Sequence, residues 1–308
     1  MSIDELNAIV DSGGIDEFIR VCEARQCKEL SKIADTITDR GDIRLVLLAG
    51  GSSAGKTTTA KRLSTQLAVN DVESVHLSTD DYFVGDARNP RDENGEPDYE
   101  TIEAVDTVRL ASDIEALIEG KRVHARRFNF VKHDGFDDPD VTSVPENGIV
   151  ILEGLHALNP KLVERLDGAG QFRVFIEPKT QLEVFATTRL PSSAARLVRR
   201  IVRDNQFRKM DPVETFRLWP KVLAGEEKWI DPFRPNADIE FDSALLYELA
   251  VLKPYVSGLV ERVLFKEPDE WRAEALKRLL ELVHATDPTK VPGDSILRET
   301  IGGSQLDY

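Results

Sequence analysis

From residue 43 to about 265 the chain alternates short apolar runs with stretches whose apolar positions recur every three to four residues. The runs at 43–49, 74–78, 149–152, 172–176 and 237–241 read as strands. The stretches at 56–69, 106–119, 159–166, 194–209, 212–224 and 243–263 read as helices. Alternation of this kind predicts an α/β fold, a parallel sheet flanked by helices. Residues 1–40 read as helical in two pieces, one on Ile3, Leu6, Ile9 and Val10, the other on Phe18, Ile19, Cys22, Leu30 and Ile33. Gly13 and Gly14 separate the pieces, and Gly41 with Asp42 marks the entry to the first strand. Residues 85–97, rich in Asp, Asn, Gly, Arg and Pro, read as a loop, and 121–131 as a small hairpin or edge strand. A last helix is expected over 268–285 on Trp271, Ala275, Leu279 and Leu282, followed from Asp287 by a loosely ordered tail. The chain thus divides into an N-terminal helical extension (1–41), a central α/β domain (42–265) and a C-terminal helix with tail (266–308). Packing or oligomer contact is the default role of the first segment.

Composition narrows the class. With 308 residues and 41% apolar content the chain can bury a substantial core. No run reaches the roughly 18 apolar residues of a membrane span, and the first residues are acidic without an apolar signal core. Cys22 and Cys27 have no Cys or His partner at ligand spacing, which argues against a disulfide framework and a metal site and for a reducing cytoplasm. The net charge of −15 disfavours nonspecific binding to nucleic acid or to an anionic membrane. It says little about a nucleotide, because local arginines can overcome it.

The candidate chemistry begins where the first apolar run ends. Gly50, Gly51, Ser52, Ser53, Ala54, Gly55, Lys56 and Thr57 fit the phosphate-loop pattern Gly-x-x-x-x-Gly-Lys-Ser/Thr between a strand and a helix. Such a turn exposes several backbone N–H groups, and the helix that follows aims its positive end at the same place. Lys56 would reach the β- and γ-phosphates, and the Thr57 hydroxyl would ligate Mg²⁺. The run 74–78 leads into Asp80 and Asp81. A carboxylate at the carboxyl end of a parallel strand can take a proton from an attacking hydroxyl or hold Mg²⁺. Which of the two does so stays open. A second strand ends in Glu153, the place of an acid that supports Mg²⁺ in phosphate-loop enzymes. Arg189, Arg196, Arg199, Arg200, Arg203 and Arg208 crowd one segment, and Arg196, Arg200 and Arg203 share a helix face. They suit either stabilisation of a transferring phosphoryl group or a solvated basic face paired with carboxylates.

In this order the four motifs resemble the uridine kinase and phosphoribulokinase superfamily of phosphate-loop kinases, most of all uridine–cytidine kinases. They are residues 49–57, 77–83, 150–154 and 199–204, and the resemblance spans roughly 43–265. It implies a phosphate-loop kinase sheet with an arginine-rich helical lid. It implies ATP or GTP as donor with Mg²⁺, a small nucleoside or sugar acceptor and, as in related kinases, a dimer or tetramer. Carried over by position, the phosphate loop with Thr58 and Arg208 would hold the donor. Thr57 and Glu153, with Asp80, would hold Mg²⁺. Asp80 would be the catalytic base, assisted by Lys56, Arg200 and Arg203. Phe83, Tyr99, Glu100, Phe128, His133 and Arg200 would contact the acceptor. The reaction expected is transfer of the γ-phosphate to the 5′-hydroxyl of uridine or cytidine.

The departures from that family fall in the acceptor segment. Its Asn-Phe-Asp-His-Pro stretch stands here as Asp98, Tyr99, Glu100, Thr101 and Ile102. Its Tyr-Asp-Phe-x-x-His stretch stands as Phe128, Asn129, Phe130, Val131, Lys132 and His133. Glu100 moves a carboxylate outward, and Phe128 removes a hydroxyl. A sugar-phosphate acceptor would need extra cations, which Arg88, Arg91, Arg126 and Arg127 could supply. A GTPase switch would need an Asn-Lys-x-Asp motif and a transporter ATPase a Leu-Ser-Gly-Gly-Gln-like stretch, and the chain has neither. A binding-only relative is disfavoured by intact Lys56, Thr57, Asp80 and Glu153.

Overall fold

Leu45, Leu47 and Ala49 face one side of the first strand and Val46 and Leu48 the other, and helices cover both sides. The computed structural model describes residues 1–93, 95–129, 132–166, 170–179, 182–185 and 188–307. In chain order its elements begin α1 (Ile3–Asp11), α2 (Ile15–Arg40), β1 (Ile43–Ala49), α3 (Lys56–Val69), β2 (Ser74–Ser78) and α4 (Thr107–Ile118). There follow β3 (Arg126–Asn129), β4 (Asp134–Asp137), β5 (Ile149–Glu153), α5 (Pro160–Val163), β6 (Gly170–Glu177), β7 (Glu183–Phe185) and β8 (Thr188–Arg189). The last are α6 (Ser192–Phe207), α7 (Pro212–Trp229), β9 (Ile239–Asp242), α8 (Glu248–Lys266), α9 (Trp271–Leu282) and α10 (Arg298–Ile301).

The five expected strands form one sheet in the order β2-β5-β1-β6-β9, each pairing parallel with its neighbour. β1 is central, and the chain moves to one side of it for β2 and to the other for β6. Such a switch point opens a crevice at the carboxyl ends of the strands, where ligands bind in open α/β sheets. Of the hairpin or edge strand expected at 121–131, β3 falls within those bounds and pairs antiparallel with β4, which lies beyond them.

Helix α2 binds the layers together. Its first turns put Ile15, Ile19 and Cys22 into a core shared with α6, α7, α8 and α9. Its later turns put Leu30, Ile33, Ala34 and Ile37 against α3 and the sheet. At 26 residues it runs on the order of 39 Å, enough to span both cores. The side chain of Glu23, midway, accepts from Tyr247 at 2.5 Å and from Arg62 at 3.3 Å.

Three expectations fail for identifiable reasons. The last helix turns Ala273, Leu276, Leu279 and Leu280 inward, so of its expected face only Leu279 is buried, while Trp271, Ala275 and Leu282 are exposed. The helix expected to stop at 224 continues through Gly225 to Trp229. A Cβ on Gly225 would lie 2.7 Å from the Cβ of Glu100, so this glycine admits a neighbour and does not end a helix. The tail after Asp287 is packed and not loose. Val291, Ser295, Ile296, Leu297 and Ile301 are buried, and Arg298 donates to the carbonyls of Pro292 (3.2 Å) and Gly302 (3.2 Å). Its apolar residues are anchored one at a time without helical or strand period, so no pattern in the sequence announces them. Among the described residues no helix is long and apolar enough to cross a membrane.

Candidate active site

The turn from β1 to α3 is built to present backbone N–H groups. Ser53 adopts φ 59° and Gly55, at the N-cap of α3, φ 90°, so successive amides turn inward as an anion nest. A Cβ at Gly55 would also meet the side chain of Ile296 at 2.8 Å. The turn is held from outside by α6 and α7. Glu226 accepts the Ser52 N–H at 2.8 Å and both Nη atoms of Arg196 at 2.6 and 2.7 Å. Lys56 Nζ donates to the Gly51 carbonyl at 3.2 Å, folding over the loop.

Two acids reach the same place from neighbouring strands. Glu153, at the end of β5, accepts from the Thr57 hydroxyl at 3.0 Å. It is buried, and that burial pushes its carboxyl up to about 7 against the pull of Lys56. Asp80 sits in the short helical turn Thr79–Tyr82 that follows β2 and lines the cleft. Asp81 turns away. Its carboxylate accepts from the Phe128 N–H and from Arg127, both at 3.3 Å, which fastens the β3–β4 hairpin to the turn. Burial raises its pKa. The geometry therefore separates the aspartates: Asp80 faces the cleft and Asp81 holds the hairpin.

The six arginines also separate. Arg196 pairs with Glu226 and Arg199 with Glu248 (2.7 Å), both inside the protein. Arg189 lies outside, 3.5 Å from Glu183. Arg200, Arg203 and Arg208 line the cleft and share one fully buried carboxylate, Asp204, at 3.2, 2.8 and 3.7 Å. Three guanidinium groups on one acid leave positive charge facing the cleft. Arg200 Nη1 also donates to the Ser52 hydroxyl at 2.7 Å. Helix α6, which carries the first two and ends just before Arg208, is seated in the core through Leu197, Val198, Ile201 and Val202.

The other end of the cleft is aromatic. Phe83 meets Tyr99 and Phe128 edge-on, with centroids 5.1 and 5.5 Å apart. Tyr99 tilts over His133, and its hydroxyl lies 3.3 Å from His133 Nδ1. His133 adopts φ 52°, an uncommon conformation for a residue with a side chain. Glu100 lines the same cleft as this box and Asp80. Its Oε2 is closed off from solvent and has no hydrogen-bond partner among the described residues. Burial pushes its carboxyl up to about 7, opposed by Arg200. Phe130 and Val131 of the expected acceptor segment lie outside the described residues.

One cleft of about 390 Å³ thus gathers most of the expected site: Ser52, Ser53, Gly55, Lys56, Thr57, Asp80, Phe83, Tyr99, Glu100, Phe128, His133, Glu153, Arg200, Arg203 and Arg208. Gly50, Gly51 and Ala54 form the loop without lining it, and Thr58 lies beneath. No motif pointed to Lys221, Glu226 or Glu299. Lys221 lines the cleft while paired with Asp92 at 2.6 Å, and Glu299 lines it from α10. These depend on helix packing, and no spacing rule reaches them. His156 was also unforeseen. It is buried beyond β5, and burial lowers its pKa to about 4, opposed by Asp80 and by the backbone of Glu100. The four arginines that could have held an acceptor phosphate are engaged elsewhere. Arg127 pairs with Asp138 at 2.8 Å, Arg91 with Asp86 at 3.3 Å, Arg126 with Asp137 at 3.9 Å and Arg88 with Asp106 at 4.0 Å; none lines the cleft.

A family model described as phosphoribulokinase / uridine kinase family matches residues 45–248. The uridine kinase of Brevibacillus brevis is 28% identical over 201 residues, covering 65% of this chain and 84% of that protein. The uridine kinase of Halobacterium salinarum is 25% identical over 194 residues, covering 62% of this chain and 76% of that protein. A solved structure of a possible uridine kinase from Bacillus stearothermophilus aligns with a TM-score of 0.45 at 18% identity, over 71% of this chain and 98% of that one.

Proposed function

The chain belongs to the phosphoribulokinase / uridine kinase family, and from that premise we propose that this kinase transfers the γ-phosphate of ATP or GTP to the 5′-hydroxyl of uridine or cytidine. The observation that carries the reading is the acceptor end of the cleft. An aromatic box suits a planar base, and the Glu100 carboxyl in the same cleft, whose Oε2 has no hydrogen-bond partner among the described residues, suits a ribose diol. Asp80 lies in the same cleft, where a 5′-hydroxyl would point.

In this mechanism the loop amides and Lys56 hold the β- and γ-phosphates. Asp80 orients the acceptor hydroxyl and takes its proton as the new O–P bond forms. Arg200, Arg203 and Arg208 meet the charge that spreads over the transferring group. Thr57 and Glu153 would hold Mg²⁺. A hydroxyl and one buried carboxylate fit an ion that takes its remaining positions from phosphate oxygens and water. Bound there, it would supply positive charge to offset the charge on the β- and γ-phosphates.

A sugar-phosphate acceptor fits less well, because the arginines it would need are paired with acids outside the cleft. The test is a panel of nucleosides, sugars and sugar phosphates incubated with labelled ATP and Mg²⁺. Phosphorylation of uridine or cytidine is expected. Transfer to a sugar phosphate alone would refute the nucleoside reading and keep the kinase.

A further inference from the structure

The donor site has a wall that the family match does not include. Residues 291–301 lie beyond the matched 45–248, yet they close against the phosphate loop. Ile296 fills the space that the absent side chain of Gly55 leaves open. The Thr58 hydroxyl, one residue after the loop, donates to Glu299 Oε2 at 3.0 Å. Glu299 then lines the cleft beside Ser53, Gly55 and Arg208.

The segment is anchored and does not merely rest there. Ser295 lies 3.4 Å from the Tyr247 hydroxyl, and Ile296 and Leu297 enter two different cores. The bonds from Arg298 to the Pro292 and Gly302 carbonyls close it into a compact loop. The segment 291–301 thus meets the first turn of α3.

The direction of the triphosphate follows from the sheet. Asp80 and Glu153 stand at the ends of β2 and β5, on one side of β1. The C-terminal segment is tied to Tyr247, which follows β9 on the other side. A γ-phosphate facing Asp80 sends the α-phosphate and nucleoside toward Glu299. A carboxylate pressed on the phosphates would be repelled by them. Beside the nucleoside it meets neutral donor groups, and a carboxylate is the ordinary acceptor for ribose hydroxyls in nucleotide sites.

We propose that residues 291–301 form the nucleoside-side wall of the donor site, with the Glu299 carboxylate accepting hydrogen bonds from the ribose hydroxyls of the donor. The proposal rests on the reading of the cleft as a triphosphate donor site, and it assigns a specificity-determining residue to that site.

Calorimetric titration of the full chain with ATP, GTP, 2′,3′-dideoxy-ATP and tripolyphosphate, each with Mg²⁺, tests it in the wild type, Glu299→Ala and Glu299→Gln. The wild type is expected to bind dideoxy-ATP about tenfold more weakly than ATP, as for loss of a hydrogen bond to a charged group. Glu299→Ala should weaken ATP about tenfold, leave tripolyphosphate unchanged and bind ATP and dideoxy-ATP alike. Equal loss for ATP and tripolyphosphate would place the role of Glu299 in the loop through Thr58 and overturn the proposal. Tighter binding of both would make it a competitor of phosphate and overturn the proposal too. If the variants melt below the assay temperature, the wild-type comparison decides alone: equal affinity for ATP and dideoxy-ATP overturns the assignment. A wild type that binds tripolyphosphate but neither ATP nor GTP overturns the donor reading itself, a distinct outcome.

Discussion

The two ends of the cleft are made of different materials. The phosphate end is chiefly backbone: six consecutive residues, 50–55, form one turn between β1 and α3, and with the first turn of α3 they present amides whatever side chains flank them. The acceptor end is chiefly side chains, brought from the turn after β2, the loop at 97–100 and the β3–β4 hairpin, with α7 behind them. Phosphates are the same in every nucleotide, so one backbone turn serves every donor. Acceptors differ in where they carry hydroxyls, so the end that reads them must vary by side chain. Substitutions at the first end should therefore stop transfer to any acceptor, and substitutions at the second should change which acceptor is used.

The largest effect is expected where the ends meet. Asp80→Asn should lower kcat by about 10²–10⁴, the usual contribution of a positioned general base, while ATP affinity measured by calorimetry stays within about threefold. Near-normal turnover would remove Asp80 from the role of base. Asp81→Asn is the contrast. Because Asp81 fastens the hairpin through Phe128 and Arg127, its loss should raise the acceptor KM more than it lowers kcat.

Next comes the anchor of the cationic patch. Asp204 is fully buried and is the shared carboxylate of Arg200, Arg203 and Arg208. Asp204→Asn leaves these guanidinium groups without it and should lower kcat by about 10–100-fold, with a loss of stability of about 3–5 kcal/mol from the broken buried pairing. Initial-rate kinetics and denaturant melts measure the two losses. Retained kcat with lowered stability would make the patch structural, as Arg196 and Arg199 already are.

Glu100 sets stability against binding. Its carboxyl is raised from the ordinary 4.5 to about 7, chiefly by burial. The folded form therefore holds the proton more tightly than the unfolded chain. The stability this group contributes is fully present below about 4.5 and is lost as pH rises through about 7. Glu100→Gln should raise Tm at pH 8, by roughly 2–4 °C for each kcal/mol recovered, and should raise the acceptor KM about tenfold. The wild-type acceptor KM should climb as pH falls from 8 to 6, because a protonated carboxyl is the poorer acceptor for a ribose hydroxyl, while the Gln variant stays flat. A flat wild-type profile would place the acceptor elsewhere.

The same contrast explains what could be read from the sequence. The strands at 43–49 and 74–78 and the helix at 56–69 were legible to the residue, because local period and one glycine-rich turn specify them. Glu153 and Asp80 were legible because strand ends place them. The fate of six clustered arginines was not, since it depends on where Glu226, Glu248 and Asp204 stand after α6, α7 and α8 pack. The end of the helix expected at 224 was missed for the same reason: Gly225 makes room within α7 for Glu100, 125 residues earlier in the chain. The packed C-terminal segment has no period for a sequence to show.

The smallest effect would sharpen the comparison most. Against the family pattern Phe128 lacks a hydroxyl, which by itself weakens the match at the acceptor end. Tyr99, however, stands where that pattern has Phe, and its ring centroid lies 6.4 Å from that of Phe128. The box therefore keeps one phenol hydroxyl and has moved it from the hairpin to the facing loop, where it lies 3.3 Å from His133 Nδ1. If that hydroxyl orients His133 toward the acceptor, Tyr99→Phe should raise the nucleoside KM by about three- to tenfold, the worth of one neutral hydrogen bond, and leave kcat and ATP affinity alone. Phe128→Tyr added to Tyr99→Phe should recover most of that loss. Recovery would show that the acceptor end preserves an atom's position while exchanging the residue that carries it. Loss without recovery would tie the hydroxyl to its own loop, and no loss from Tyr99→Phe would leave His133 oriented by the backbone of the hairpin alone.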